Sequence, residues 1–127
     1  MGLALFCLIQ GMKVFVHHIY EYKKGLRNLI LHTMPVGKQE EAIRKLTSNN
    51  ISYHIQYVTP FKINIFFGEP QCVEIIRHFG DKPLNELSDE EDFILGTLLG
   101  YGQVQQCQRY LNRKEEKNAA YQVQMVG

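Results

Sequence analysis

The chain has only three cysteines, Cys7, Cys72 and Cys107, widely spaced, odd in number and in no CxxC pair. That spacing argues against a disulfide scaffold or a zinc finger and fits a reducing cytoplasm. Serine is as scarce. Ser48, Ser52 and Ser88 are the whole set, and Ser88 sits where a helix cap is needed, so serine nucleophilic catalysis is not expected. Charge of either sign is not in excess: 14 Lys and Arg face 13 Asp and Glu, a net charge of +1. A nucleic-acid partner would call for a basic stripe or face, and none is visible. The apolar run at residues 1–11, MGLALFCLIQG, is about half of the roughly twenty residues that a membrane helix needs. It also lacks the basic flank and small-residue cleavage site of a signal peptide. The run is expected to pack on the domain or on a partner chain, and Met12 would serve equally well as a start. Gly37-Lys38 lacks the upstream glycine and following Ser or Thr of a phosphate-binding loop.

What remains is ordinary globular composition, 45% hydrophobic and 21% charged, enough for one domain with a real core. A single domain is expected over residues 12–114, with 115–127 as a flexible tail without periodicity. The clearest element is Ser88 to Lys114. Ser-Asp-Glu-Glu at 88–91 is a capping box, in which the Ser88 hydroxyl and the Glu91 carboxylate each accept from the other's backbone amide. Asp89, Glu90, Glu91 and Asp92 lie at the positive end of the helix dipole, with Arg109, Arg113 and Lys114 towards the other end. Ile94, Leu98, Tyr101, Val104 or Gln105, Cys107 and Leu111 form one stripe, expected to face a core or a second subunit. Gly96, Gly100 and Gly102 cost helix stability. They predict close approach of another backbone, a break at Gly100-Tyr101-Gly102, or a ligand face formed by Gly96, Gly100 and Tyr101.

Upstream, Lys13 to Lys24 has a strand-like start, yet Phe15, His18, Ile19 and Tyr22 share a helical face and Gly25 suits a helix end. A helix is the better reading. Leu26 to Met34 predicts a buried strand before Pro35. Lys38 to Asn49 predicts an amphipathic helix with Ala42, Ile43 and Leu46 inward. Tyr53–Val58 and Phe61–Phe67 alternate around Thr59-Pro60 as a hairpin, each strand with one apolar and one more polar face. Pro70 then opens a helix with Val73, Ile76 and Phe79 inward, ending at Gly80. The order βαββα predicts an α+β fold: a small three-stranded antiparallel or mixed sheet, a partial ferredoxin-like plait, covered by helices with a long C-terminal helix. In such a plait the first strand pairs with the third. The final edge strand is missing, and the surplus of apolar stripes predicts a homodimer.

Few residues carry candidate chemistry. Lys23, Lys24 and Arg27 form the one basic cluster, a candidate site for a phosphate or an acidic partner surface. Cys72, in the first turn of a helix, is the redox candidate, because helix N-termini favour thiolate; Glu69 and apolar neighbours oppose that. Structural roles are expected for Cys72 and Cys107. His17 and His18 are adjacent and diverge, whereas His32 and His54 have the chance to meet in space. No metal, cofactor or catalytic set is expected.

The stretches FFGEP, PLNEL, EEDFILGTLLGY and QCQRYL (ending at Leu111) resemble an uncharacterised family of bacterial proteins of about this size, over residues 12 to about 114. The resemblance implies an α+β fold with few strands and a homodimer, and assigns no activity. It also implies a link to flavodoxin-type partners and to redox or iron-limitation physiology. Gly102 follows Tyr101 where the family pattern implies an acidic residue. The function expected is therefore a non-catalytic dimeric accessory or regulatory module. The alternative is a small enzyme or redox protein using a reactive cysteine or a histidine metal site.

Overall fold

Residues 2–126 are described by a computed structural model, with side chains from Met12 to Met125. The expected packing of residues 1–11, and Cys7, lie outside the described side chains. The chain forms two compact units, Met1–Asp81 and Lys82–Gly127.

The first unit begins with helix α1 (Gly2–Lys23). Burial settles the ambiguity over residues 13–24. Phe15 and Ile19, one helical turn apart, are 0% and 6% exposed, so the apolar stripe overrides the β-branched start. Gly25, at φ +77°, closes the helix: its amide donates to Tyr22 O and that of Leu26 to Glu21 O, a Schellman ending. Strand β1 (Leu29–Pro35) follows, starting later than Leu26, which is exposed. A short 3-10 turn, Val36–Lys38, leads into α2 (Gln39–Ser48), which buries Ala42 and Leu46. Strands β2 (Ser52–Thr59) and β3 (Lys62–Gly68) form the hairpin, and α3 (Pro70–His78) buries Val73 and Ile76.

The three strands form one antiparallel sheet in the order β1-β3-β2. The first strand pairs with the third, as expected. The register places Ile30, Phe67 and Tyr53 in one row and Met34, Ile63 and Tyr57 in another. Phe15, Ile19, Ala42, Leu46 and Ile51 join Ile30, Met34, Ile63, Ile65 and Phe67 in one core. Two expectations are corrected here. The central strand β3 is buried throughout from Ile63 to Gly68, Asn64 included, where Thr33 and Gln56 on the neighbouring strands flank its side chain. Phe61 belongs to the turn and is 79% exposed, not part of the inward row.

The second unit holds a 3-10 turn, Leu84–Glu86, then α4 (Asp89–Leu98) and α5 (Gln103–Val126). The stretch 88–114 is thus two helices, with the break at residues 99–102. Gly100, at φ +87°, ends α4; its amide donates to Thr97 O and that of Tyr101 to Gly96 O, the same Schellman pattern. The break also corrects the stripe. Ile94, Tyr101, Val104, Cys107 and Leu111 are exposed and Leu98 is half-buried, while Leu95, Gly96, Leu99 and Gln106 are buried. A helical phase counted through residue 99 loses its meaning once the chain turns back. Nor does regular structure stop after Lys114, since α5 continues to Val126.

Candidate functional site

The residues expected to gather into a site are placed as follows. Lys23 donates to Asn49 Oδ1 at 2.9 Å. Lys24 lies over the Tyr20 ring, 5.3 Å from its centroid, and Arg27 Nη1 is 3.9 Å from Glu21 Oε2. The three cations thus have three different neighbours, and each is engaged locally. Cys72 is the third residue of α3 and half-buried. Burial, and after it the Glu69 carboxylate, push its thiol above the ordinary value, so the helix N-terminus does not make this a ready thiolate. Cys107 is exposed, not the buried structural residue expected.

Gly96, expected to share a ligand face with Gly100 and Tyr101, is buried in α4. Tyr101 is exposed in the α4–α5 connection. A Cβ at Gly96 would lie 1.9 Å from Gln106 Oε1 and 2.5 Å from its Cδ. Gln106 is 8% exposed, so the missing side chain makes room for a buried amide from α5. Gly96→Ala is therefore expected to cost about 1 kcal/mol by overpacking, in spite of alanine's helix propensity. Gln106→Ala in that background should remove the clash and reverse the sign. Urea midpoints of the two variants test this.

The basic residues read as the far pole of a dipole fold back onto its acidic start. Ser88 and Glu91 make the expected capping box. Asp92 takes a bidentate contact from Arg109, Nε to Oδ2 at 2.7 Å and Nη2 to Oδ1 at 3.0 Å, and Arg113 Nη1 is 2.9 Å from Oδ1. The Asp89 side chain is 0% exposed, with Arg113 Nε and Lys117 Nζ at 2.9 and 3.0 Å from Oδ1. Lys114 Nζ is 3.2 Å from Oδ2, close enough for an ion pair although no aligned hydrogen bond reaches that oxygen. Lys114 and Tyr110 both reach Glu90 Oε1, and Lys82 pairs with Glu91. Hydrogen bonds from Lys117, Lys114, Lys82 and Arg109 hold Asp89, Glu90, Glu91 and Asp92, respectively, below their ordinary pKa values. Beside this network the rings of Phe93 and Tyr110 meet edge-on, 5.9 Å between centroids. The network's signal in the sequence was present, four acids at 89–92 and cations at 109, 113, 114 and 117, but only the turn at residues 99–102 brings them together.

His32 and His54 do not meet. They lie opposite Ile65 and Phe66, adjacent residues that face opposite sides of the sheet. His32 instead lies under α1, its ring 5.4 Å from Phe15 and 5.5 Å, edge-on, from His18. His18 Nδ1 and His17 Nε2 are each 3.3 Å from Glu21 Oε1. Among the described residues no group of three or more His, Cys, Asp or Glu is placed to hold a metal ion, and no helix is long and apolar enough to cross a membrane.

The remaining candidate is a surface. The β2–β3 hairpin ends in exposed Tyr57 (64%), Val58 (48%) and Phe61 (79%). Among the described residues no strand pairs with the outer edge of β2. Ser52–Thr59 contains no charged residue and no proline, two of the devices that protect such an edge; a register shift between Tyr57 and Thr59 lies near its end. One capping contact is present at its start, Arg77 Nη2 donating to Tyr53 O at 2.8 Å.

These features define a small α+β protein with an open three-stranded antiparallel sheet and a helical hairpin closed by ion pairs. The chain belongs to the DUF2023 family, proteins of unknown function, whose model matches residues 13–113. No curated protein matches the chain.

Proposed function

We propose that this chain is a non-catalytic accessory or regulatory binding module of the cytoplasm that works as a homodimer. The observation that carries the reading is the uncharged edge of β2, beside which no further strand lies among the described residues, running into the apolar tip at Tyr57, Val58 and Phe61. An open edge offers a row of backbone donors and acceptors, which another extended strand satisfies best. A second copy of β2, antiparallel about a two-fold axis, brings the same surface against itself. No like charges meet in that pairing, since β2 has none. The apolar tips supply side-chain burial beside the main-chain bonds. The resemblance to proteins linked with flavodoxins suggests a flavodoxin-type protein as the client of the dimer, and co-purification tests that partner.

Val58→Lys and Phe61→Ser alter exposed positions and leave the core intact. Each is expected to convert a dimer to a monomer in size-exclusion chromatography with light scattering, while the far-ultraviolet circular dichroism stays as in the parent. A parent protein that is monomeric, or variants that remain dimeric, would overturn the edge-pairing interface.

A further inference from the structure

We propose that His18 and His32 form an acid-responsive latch that holds α1 on the sheet. His32 projects from the middle of β1 into the face shared with Ile30 and Met34 and lies beneath α1. Its Nε2 is shielded from solvent and has no hydrogen-bond partner among the described residues. The groups around it offer a proton no compensation. From α1, Phe15 presents an aromatic ring and His18 a second imidazole, 5.4 and 5.5 Å away between centroids. From the sheet, the residue opposite is Ile65 of β3, and beyond it lies Ile55 of β2.

The one carboxylate of the cluster, Glu21, is already shared. His17 and His18 each lie 3.3 Å from its Oε1, and Arg27 lies 3.9 Å from Oε2. That carboxylate lies beside His18. A proton on His32 is a buried cation facing His18, with no acceptor among the described residues. The arrangement is relieved when α1 lifts and His32 reaches water, which also withdraws Phe15 from its contact with Phe67.

The direction of the linkage follows. Burial, then the neighbouring His18, lower His32 from 6.5 to about 4. A histidine depressed in the closed form takes its proton more readily in the open form. Closure is therefore fully supported above the ordinary histidine range and loses support as pH falls through it towards about 4.

Hydrogen exchange of the α1 amides from Lys13 to Lys23, corrected for intrinsic rates, tests the latch on the full chain. Protection in the parent is expected to fall on the order of tenfold between about pH 7 and about pH 5. His32→Phe keeps a ring in the pocket without a titrating group and should flatten that dependence. Equal protection of the parent at both pH values, or an undiminished fall in His32→Phe, would overturn the proposal. A titration of the parent His32 ring by proton NMR gives a second readout that needs no variant. A midpoint well below the ordinary histidine range supports the latch, and an ordinary midpoint overturns it.

Discussion

Phe67→Ala should destabilise the first unit by roughly 3–5 kcal/mol, a large part of the 5–15 kcal/mol that keeps a typical domain folded. Phe67 has no exposed surface, and its ring meets Phe15 edge-on at 5.5 Å between centroids. It stands in one row with Ile30 and Tyr53 on the two neighbouring strands. Truncation removes the ring and leaves a hole between β3 and α1 that rigid neighbours cannot fill. Leu26→Ala, in the same unit, should change stability by no more than about 0.5 kcal/mol, because Leu26 is exposed in the connection between α1 and β1. Urea unfolding of both variants is the check. Similar midpoints would contradict the placement of the core.

Asp89→Asn is expected to be the most damaging single change in the second unit, larger than Glu90→Gln or Asp92→Asn. The Asp89 carboxylate has no exposed surface and faces Arg113, Lys114 and Lys117 within 3.2 Å. Neutralising it leaves three cations converging on an uncharged amide. The expected readout is a lower melting temperature of the helical signal at neutral pH. The pH dependence has a definite sign. The four carboxylates at 89–92 are all held below their ordinary values of 3.8 for Asp and 4.5 for Glu. Their contribution is fully present above those values and is lost as pH falls through the lower folded ones. The fall in the parent should therefore come below about pH 4, and Asp89→Asn should flatten it. The histidine window lies at higher pH, so His32→Phe leaves the carboxylate step in place.

How much of this was legible in the chain differs by element, and for physical reasons. The helix over Lys13–Lys23 was readable because Phe15, Ile19 and Tyr22 repeat at helical spacing and Gly25 supplies the left-handed ending. The hairpin was readable from alternation around Thr59-Pro60, and the capping box at Ser88 from local spacing alone. Period-two alternation failed at β3, because Asn64, on the face opposite Ile63, is buried as well. There the amide is satisfied across the sheet: Thr33 Oγ1 donates to Asn64 Oδ1 at 2.6 Å, and Asn64 Nδ2 donates to Gln56 Oε1 at 3.1 Å. The stripe through 94–111 failed because one turn at Gly100 resets the helical phase, and because ion pairs, with the Phe93–Tyr110 ring contact, join α4 to α5. The meeting of His18 with His32 depends on how a helix lies over a strand, which no short-range pattern contains. The open edge of β2 was foreseen only as a missing strand; that β2, like β1, lies at an outer edge follows from the order β1-β3-β2.

Native mass spectrometry of the parent chain, beside Val58→Lys, tests the central claim most directly. The account predicts twice the chain mass for the parent at micromolar concentration and the single-chain mass for the variant. A parent seen only at the single-chain mass would contradict it.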